Sequence, residues 1–227
     1  MALDAPVLTL DGPSGSGKGT IARRVAAALG WHLLDSGALY RLVGLAANLQ
    51  AVELDDEFAV AEIARNLAVS FGADEAGNEL IRLGSEDVTA AVRTEETGRL
   101  ASEVAALPAV RTALLDLQKS FRKAPGLVAD GRDMGTQVFP DAPVKVFLTA
   151  SPEERARRRY KQLKDKGIGV SLSALSRDIA ARDRRDSERT VAPLRPADDA
   201  YVLDSSSKSI EAVTLEVLDR VTTLAPE

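Results

Sequence analysis

Apolar residues along the chain collect into five short runs, separated by longer stretches of helical periodicity. The runs are Val7-Leu8-Thr9-Leu10, Trp31-His32-Leu33-Leu34-Asp35, Gly126-Leu127-Val128-Ala129-Asp130, Val144-Lys145-Val146-Phe147-Leu148 and Ala200-Tyr201-Val202-Leu203-Asp204. Most are bounded by Pro, Gly or Asp, as strands of a parallel sheet are. After the first run, Ile21, Val25 and Leu29 share one helical face. Further helices are predicted from Ala38 to about Gln50, from Asp55 to Asn66, and from Thr94 to about Lys123 with a break at Pro108. The pattern predicts an α/β fold: five buried strands in a parallel sheet with helices on both faces.

Between the second and third runs the character changes. Leu67-Ala68-Val69-Ser70-Phe71-Gly72, Glu79-Leu80-Ile81-Arg82-Leu83-Gly84 and Asp87-Val88-Thr89 alternate with period two, joined by turns that include Ala76-Gly77-Asn78. They predict a small antiparallel sheet inserted into the βα-alternating chain. Later, Ser151-Pro152-Glu153-Glu154 has the signature of a helix start, with Pro in the first turn and acids at the positive end of the dipole. A loop over 165–169 and a second helix from about Ser171 complete a charged hairpin.

Composition narrows the function classes. The 227 residues suffice for one sizeable domain, and 45% hydrophobic residues exclude a disordered chain. The formal net charge of −5 argues against general nucleic-acid binding. Without cysteine there is no disulfide or thiolate metal site, and the single His32 excludes a Ser-His triad and a histidine-based metal centre. No apolar run reaches membrane-spanning length and Met1-Ala2-Leu3-Asp4 lacks a signal pattern, so a soluble cytoplasmic protein is expected.

Candidate chemistry begins at Asp11-Gly12-Pro13-Ser14-Gly15-Ser16-Gly17-Lys18-Gly19-Thr20. A strand before and a helix after turn this Gly-x-x-x-x-Gly-Lys match into a phosphate-binding loop. Glycines let backbone N–H groups face an anion, the helix adds its dipole, and Lys18 adds a full charge for the outer phosphates of a nucleoside triphosphate. Gly19 stands where a Ser or Thr is usual, so the hydroxyl is displaced to Thr20 or Mg²⁺ is held by phosphates and water. Asp11, Asp35, Asp130 and Asp204 end strands, with Arg132 and Asp133 just beyond; ligands of such sheets bind at that edge. Arg182, Asp186 and Arg189 lie on one helical face. They fit a phosphate and a ribose hydroxyl, and they fit equally a solvated, ion-paired surface.

A phosphate loop alone does not separate kinases, GTPases and motors. None of Asn48, Asn66 and Asn78 is followed by Lys, so the guanine-reading segment of GTPases is missing. The many arginines fit transfer between two phosphorylated molecules, whose negative charge must be neutralised while they align. Two alternatives remain open at this level. One is a kinase for another small acceptor; the other is an ATP-binding switch with slow turnover.

Four segments carry a more specific resemblance: residues 12–20, Leu34-Asp35-Ser36-Gly37-Ala38-Leu39-Tyr40-Arg41, Ala129-Asp130-Gly131-Arg132-Asp133-Met134-Gly135-Thr136 and Arg189-Thr190-Val191-Ala192-Pro193-Leu194. Together they resemble the bacterial cytidylate kinases, and the resemblance runs from Val7 to the last helix. It implies a P-loop nucleoside monophosphate kinase fold in a single domain over 1–227. The core would cover about 1–62, 95–150 and 190–227, a monophosphate-binding insert about 63–94, and a short helical lid about 155–189. It implies ATP as donor, CMP or dCMP as acceptor, Mg²⁺ on the phosphates, a monomer, and no nucleic-acid or membrane partner.

The resemblance also assigns roles. Gly12, Pro13, Ser14, Gly15, Ser16, Gly17, Lys18, Gly19 and Thr20 would hold ATP. Ser36, Arg41 and Arg132 correspond to positions around the acceptor phosphate. Ser102, Arg111 and Asp133 align with base-reading positions, and a carboxylate, a hydroxyl and a guanidinium complement cytosine's amino donor and ring acceptors. Arg182 and Asp186 match positions that hold sugar hydroxyls, and Arg189 one that reaches the phosphate. Lys18, Arg132, Arg158 and Arg189 are the expected catalytic cations, with Arg159 a further contact to the donor; Arg155 and Arg157 are expected to be solvated.

Overall fold

A computed structural model of the chain describes residues 5–73, 79–165 and 167–224. The predicted turn at Ala76-Gly77-Asn78 and the loop residue Lys166 lie outside the described residues. The chain divides into two compact units: the described residues of Met1–Asp35 and Gln118–Glu227 form one, and those of Ser36–Leu117 the other.

In the first unit the strands are β1 (Val7–Asp11), β2 (His32–Asp35), β6 (Leu127–Gly131), β7 (Val144–Thr149) and β8 (Tyr201–Asp204), numbered in chain order with β3–β5 of the second unit. Each coincides with one of the five apolar runs. They form one sheet in the order β2-β6-β1-β7-β8, and every pairing is parallel. Helices α1 (Lys18–Leu29) and α9 (Ile210–Leu224) flank the sheet. Ile21 and Val25 of α1 and Val213, Val217 and Val221 of α9 pack with Leu8, Leu10, Val128, Val146 and Leu203 in one core. β1 and β6 are buried throughout, whereas β7, which also lies between two strands, alternates buried and half-buried positions. The expectation of five buried strands fails at the sheet edges: His32 is exposed and Val202 is 53% exposed. An edge strand has one neighbour, so half its surface stays open to water.

Helices α7 (Pro152–Asp165) and α8 (Leu172–Ser187) form the predicted hairpin. Ser171 caps α8, its hydroxyl accepting the N–H of Ala174 at 3.1 Å. After β6 the chain makes a π-helical turn over Met134–Val138, in which the Val138 N–H reaches the Asp133 carbonyl. Such turns carry no apolar period and recur at functional sites.

The second unit holds α2 (Ser36–Leu49), α3 (Glu57–Arg65), α4 (Thr89–Val92), α5 (Glu95–Val104) and most of α6 (Pro108–Lys119). Its antiparallel sheet is β3 (Val69–Ala73), β4 (Glu79–Leu83) and β5 (Glu86–Asp87). Thr89, expected in a strand, starts α4 instead. Its N–H and hydroxyl both donate to the Asp87 carboxylate, at 2.9 and 2.6 Å, and this local turn ends the strand.

Candidate active site

The phosphate loop leaves the carboxyl end of β1, which lies between β6 and β7. Gly12 is required there by contact: a Cβ at this position would stand 2.0 Å from the Leu148 carbonyl oxygen. Gly15 takes φ +79°, a left-handed conformation that disfavours any side chain. Three cations hold the loop by its carbonyls. Lys18 Nζ donates to Pro13 O at 2.9 Å, Arg155 Nη1 to Ser14 O at 3.1 Å, and Arg158 Nη1 to Ser16 O at 3.1 Å. With these carbonyls engaged, the N–H groups at the start of α1 remain for an anion. Burial, reinforced by Arg132, pulls Lys18 down to about 7.

Beside the loop stands the end of β6. Asp11 pairs in register with Gly131, the residue before Arg132 and Asp133. The buried Asp11 carboxylate accepts the N–H groups of Met134 and Gly135, each at 2.8 Å. Burial pushes its pKa up to about 7, against the pull of those two hydrogen bonds. Asp11 thus holds the turn that carries Arg132 and Asp133. Asp133 is itself 3% exposed. Asp130 is buried too and is pushed up to about 6, by burial first, with Lys18 pulling against it and Asp35 adding to it. Its Oδ1 is buried without a hydrogen-bond partner.

Arg132 leads from this turn to α8. Its Nε donates to Asp186 Oδ2 at 3.1 Å, and Arg189 Nη2 donates to the other carboxylate oxygen. Asp186 is 1% exposed. Burial alone would raise its pKa, but Arg132, Arg189 and Arg182 together hold it below the usual carboxylate range. Arg182 lies within electrostatic reach of both Lys18 and Asp186. The Leu194 N–H closes the segment after α8 onto the Asp186 carbonyl at 2.8 Å. Lys18, Arg132, Asp133, Arg182, Asp186 and Arg189 therefore belong to one charged cluster in the first unit, rather than to a solvated face.

A model of the cytidylate kinase family matches residues 8–223. The chain belongs to the cytidylate kinase family. Its relatives include the cytidylate kinase of Stutzerimonas stutzeri (strain A1501), 59% identical over 97% of each chain. The cytidylate kinase of Methylococcus capsulatus is 61% identical over 92% of this chain and 93% of its own. An uncharacterized protein from Eubacterium ventriosum shares the fold, with a TM-score of 0.50 at 11% identity over 96% of this chain and 98% of that one.

This cytidylate kinase family member departs from the expectations at the arginine run of α7. Arg157 is exposed, as expected, but Arg155 is not: it is 3% exposed. Beyond Ser14 it donates to the Ala150 carbonyl at 3.0 Å and, through both Nη atoms, to Asp183 at 2.9 and 2.6 Å. Arg158 is committed to structure as well. It donates to Glu154, to Ser205 Oγ and, at 2.5 Å, to the Ser205 carbonyl. Arg159 is half-buried and bonded to Gln162. The strand-end pattern placed Asp11 at the ligand-binding edge but not its hold on the Met134–Gly135 turn, and Asp183 and Ser205 carried no sequence signal for their contacts with Arg155 and Arg158.

In the second unit, Ser36 is buried at the first position of α2. Arg41 donates to the carbonyls of Val92 and Thr94 at 2.8 and 2.9 Å. Ser102 is 3% exposed, with its hydroxyl oxygen buried and lacking a partner. Arg111 lies over the Tyr40 ring, 5.7 Å from its centroid, and donates to the Ala105 carbonyl. Among the described residues no cluster of three His, Cys, Asp or Glu side chains could hold a metal. No helix of the described residues is long and apolar enough to cross a membrane.

Proposed function

We propose that this chain transfers the γ-phosphoryl group of ATP to CMP or dCMP, giving ADP and CDP or dCDP. The observation that carries the reading is the Asp186 carboxylate clamped between Arg132 and Arg189, within electrostatic reach of Lys18 through the same cluster. A phosphate loop needs one anion, and this cluster supplies cations for a second. Family membership gives that second anion its identity.

In this reading the residues of 12–20 bind the donor, with Lys18 on its outer phosphates. Arg132 and Arg189 take the acceptor phosphate, and Arg182 with Asp186 takes the sugar hydroxyls. Ser36 and Arg41 also serve the phosphate. Asp133 accepts from cytosine's amino group, while Ser102 and Arg111 serve the ring acceptors. The orphaned Ser102 hydroxyl supports this role, since a buried polar group lacking a partner costs stability that a ligand can restore. Arg158 acts through the loop by holding Ser16.

No general base is needed. A phosphate monoester has a second pKa of about 6 and is largely dianionic at neutral pH, so its oxygen attacks without giving up a proton. The arginines screen the repulsion between the two nucleotides and align them for in-line transfer.

The residues present fit Mg²⁺ held by phosphates and water. Asp130 offers a buried, unpartnered oxygen beside the first turn of α1, where a Cβ on Gly19 would lie 3.2 Å from its Oδ2. Gly19 leaves room for a carboxylate where other loops carry a hydroxyl. Asp130 would hold the water shell of such an ion, which would supply positive charge to offset the negative charge of the donor phosphates. The substrates are small cytoplasmic nucleotides and one chain supplies every assigned residue, which fits a cytoplasmic monomer.

A coupled ADP-release assay across nucleoside monophosphates tests the reading. CMP and dCMP should turn over well, UMP more slowly, and AMP and GMP least. Equal turnover of CMP and AMP would reject the cytidylate assignment.

A further inference from the structure

We propose that Arg155 and Asp183 are a positioning pair that joins the phosphate loop to α8, so that occupancy of the donor loop strengthens binding of the acceptor monophosphate. The proposal rests on the functional reading above, since it takes α8 to carry acceptor-binding groups.

Arg155 is the most deeply placed cation of α7, with 3% of its surface exposed. It makes contacts in three directions at once. Nη1 holds the Ser14 carbonyl in the middle of the phosphate loop, Nε holds Ala150 after β7, and the planar fork grips both oxygens of Asp183. The backbone of α7 also lies directly on the loop: a Cβ at Gly15 would stand 3.1 Å from the Arg155 Cβ. A loop movement at residues 14–15 therefore meets Arg155 without slack.

Asp183 passes that movement on. It sits on α8 beside Arg182 and three residues before Asp186, less than one helical turn from the carboxylate that clamps Arg132 and Arg189. A helix is stiff over one turn, so a shift at Asp183 is a shift at Arg182 and Asp186. The chain of contacts runs Ser14, Arg155, Asp183, α8, Asp186, Arg132. Every link is a hydrogen bond or a single turn of helix. A guanidinium fork fits this task because its two parallel bonds fix orientation as well as distance, which a lysine cannot do.

Calorimetric titration of the full chain tests the proposal. CMP is titrated alone and in the presence of saturating β,γ-methylene-ATP, which occupies the donor loop without transfer. In the wild type the analogue should tighten CMP binding by about five- to tenfold, and CMP should tighten the analogue by the same factor. Asp183→Asn keeps the side-chain size and removes the charge that anchors the fork, and it should bring the factor close to one. Arg155→Lys keeps the charge, loses the fork, and should leave a reduced factor. A purely structural role would weaken both ligands while leaving their coupling intact. If Asp183→Asn does not fold by thermal melting, Arg155→Lys carries the test. A wild-type factor of one, or an unchanged factor in a folded variant, overturns the proposal. CMP failing to bind while another monophosphate binds with coupling would overturn the cytidylate reading and leave the pair's role standing.

Discussion

Arg132 donates from Nε to Asp186 across 54 residues of sequence, and the acceptor carboxylate has 1% of its side-chain surface exposed. The turn after β6 and the last turn of α8 are thus tied by one ion pair, with Arg189 on the second oxygen. Removing the carboxylate leaves two guanidinium groups close together with little water, because their side chains are 18% and 6% exposed. Asp186→Ala should cost about 3–5 kcal/mol of stability, read from a denaturant midpoint. In the reading above it should also lower kcat/KM for CMP by about ten- to a hundredfold. Added CMP should stabilise the variant against heat less than it stabilises the wild type. A variant as stable and as active as the wild type would show that the clamp serves neither purpose.

A second carboxylate acts entirely through backbone. Asp11 accepts two N–H groups from the turn that presents Arg132 and Asp133. Asp11→Ala should orphan both donors at about 1–3 kcal/mol each and release the turn, so stability and turnover fall together. Asp11→Asn retains one acceptor oxygen and should recover part of both. Denaturant midpoints alongside steady-state kinetics decide the matter, and loss of stability with full turnover would exclude a role in placing the turn.

Proton linkage should be visible in the ligand-free protein. Asp11 and Asp130 have folded values of about 7 and about 6, raised by burial from 3.8. Their contribution to stability is fully present below about 4 and is lost as pH rises through 6–7, because the folded chain binds more protons in that window. Lys18 has the opposite sign. Burial lowers it from 10.5 to about 7, so between those values the unfolded chain binds more protons and stability rises with pH. Lys18→Met should abolish that rise and leave the free protein no less stable below pH 7. It should also lower turnover by about 10²–10³. Melting temperatures from pH 4 to 10 test the first part. ATP binding at pH 8 should take up a proton, since a bound anion raises Lys18, and calorimetry in buffers of different ionisation heat reads it directly.

What the sequence made legible was local. Strand, glycine turn and helix at 7–29 follow one another without a break, so periodicity and motif agree within one window. Arg155 and Arg157 look alike in a run of basic residues, yet one side chain is 4% exposed and the other 78%. Nothing nearby marks the difference. It is set by Ser14 and Asp183, 141 residues before and 28 after. Asp11 is the same kind of case: its partners lie more than 120 residues downstream. The π-helical turn at Met134–Val138 was invisible because its backbone is held by a neighbouring strand's carboxylate rather than by any pattern of its own.

Asp133 allows the sharpest test of base selection. Its backbone oxygen accepts from Gln137 at 2.9 Å and holds the π-helical turn, a bond that truncating the side chain leaves in place. Asp133→Ala should therefore spare the turn and strike the chemistry of recognition. A carboxylate accepts from the N4 amino group of cytosine, but faces another acceptor in the O4 of uracil, so truncation removes an attraction for one base and a repulsion for the other. The ratio of kcat/KM for CMP over UMP should fall by about five- to a hundredfold, mainly through weaker use of CMP. KM for ATP should change by less than about threefold, since the donor loop is left intact. An unchanged CMP-to-UMP ratio in a folded variant would place base selection elsewhere, with Ser102 and Arg111 the residues to test next.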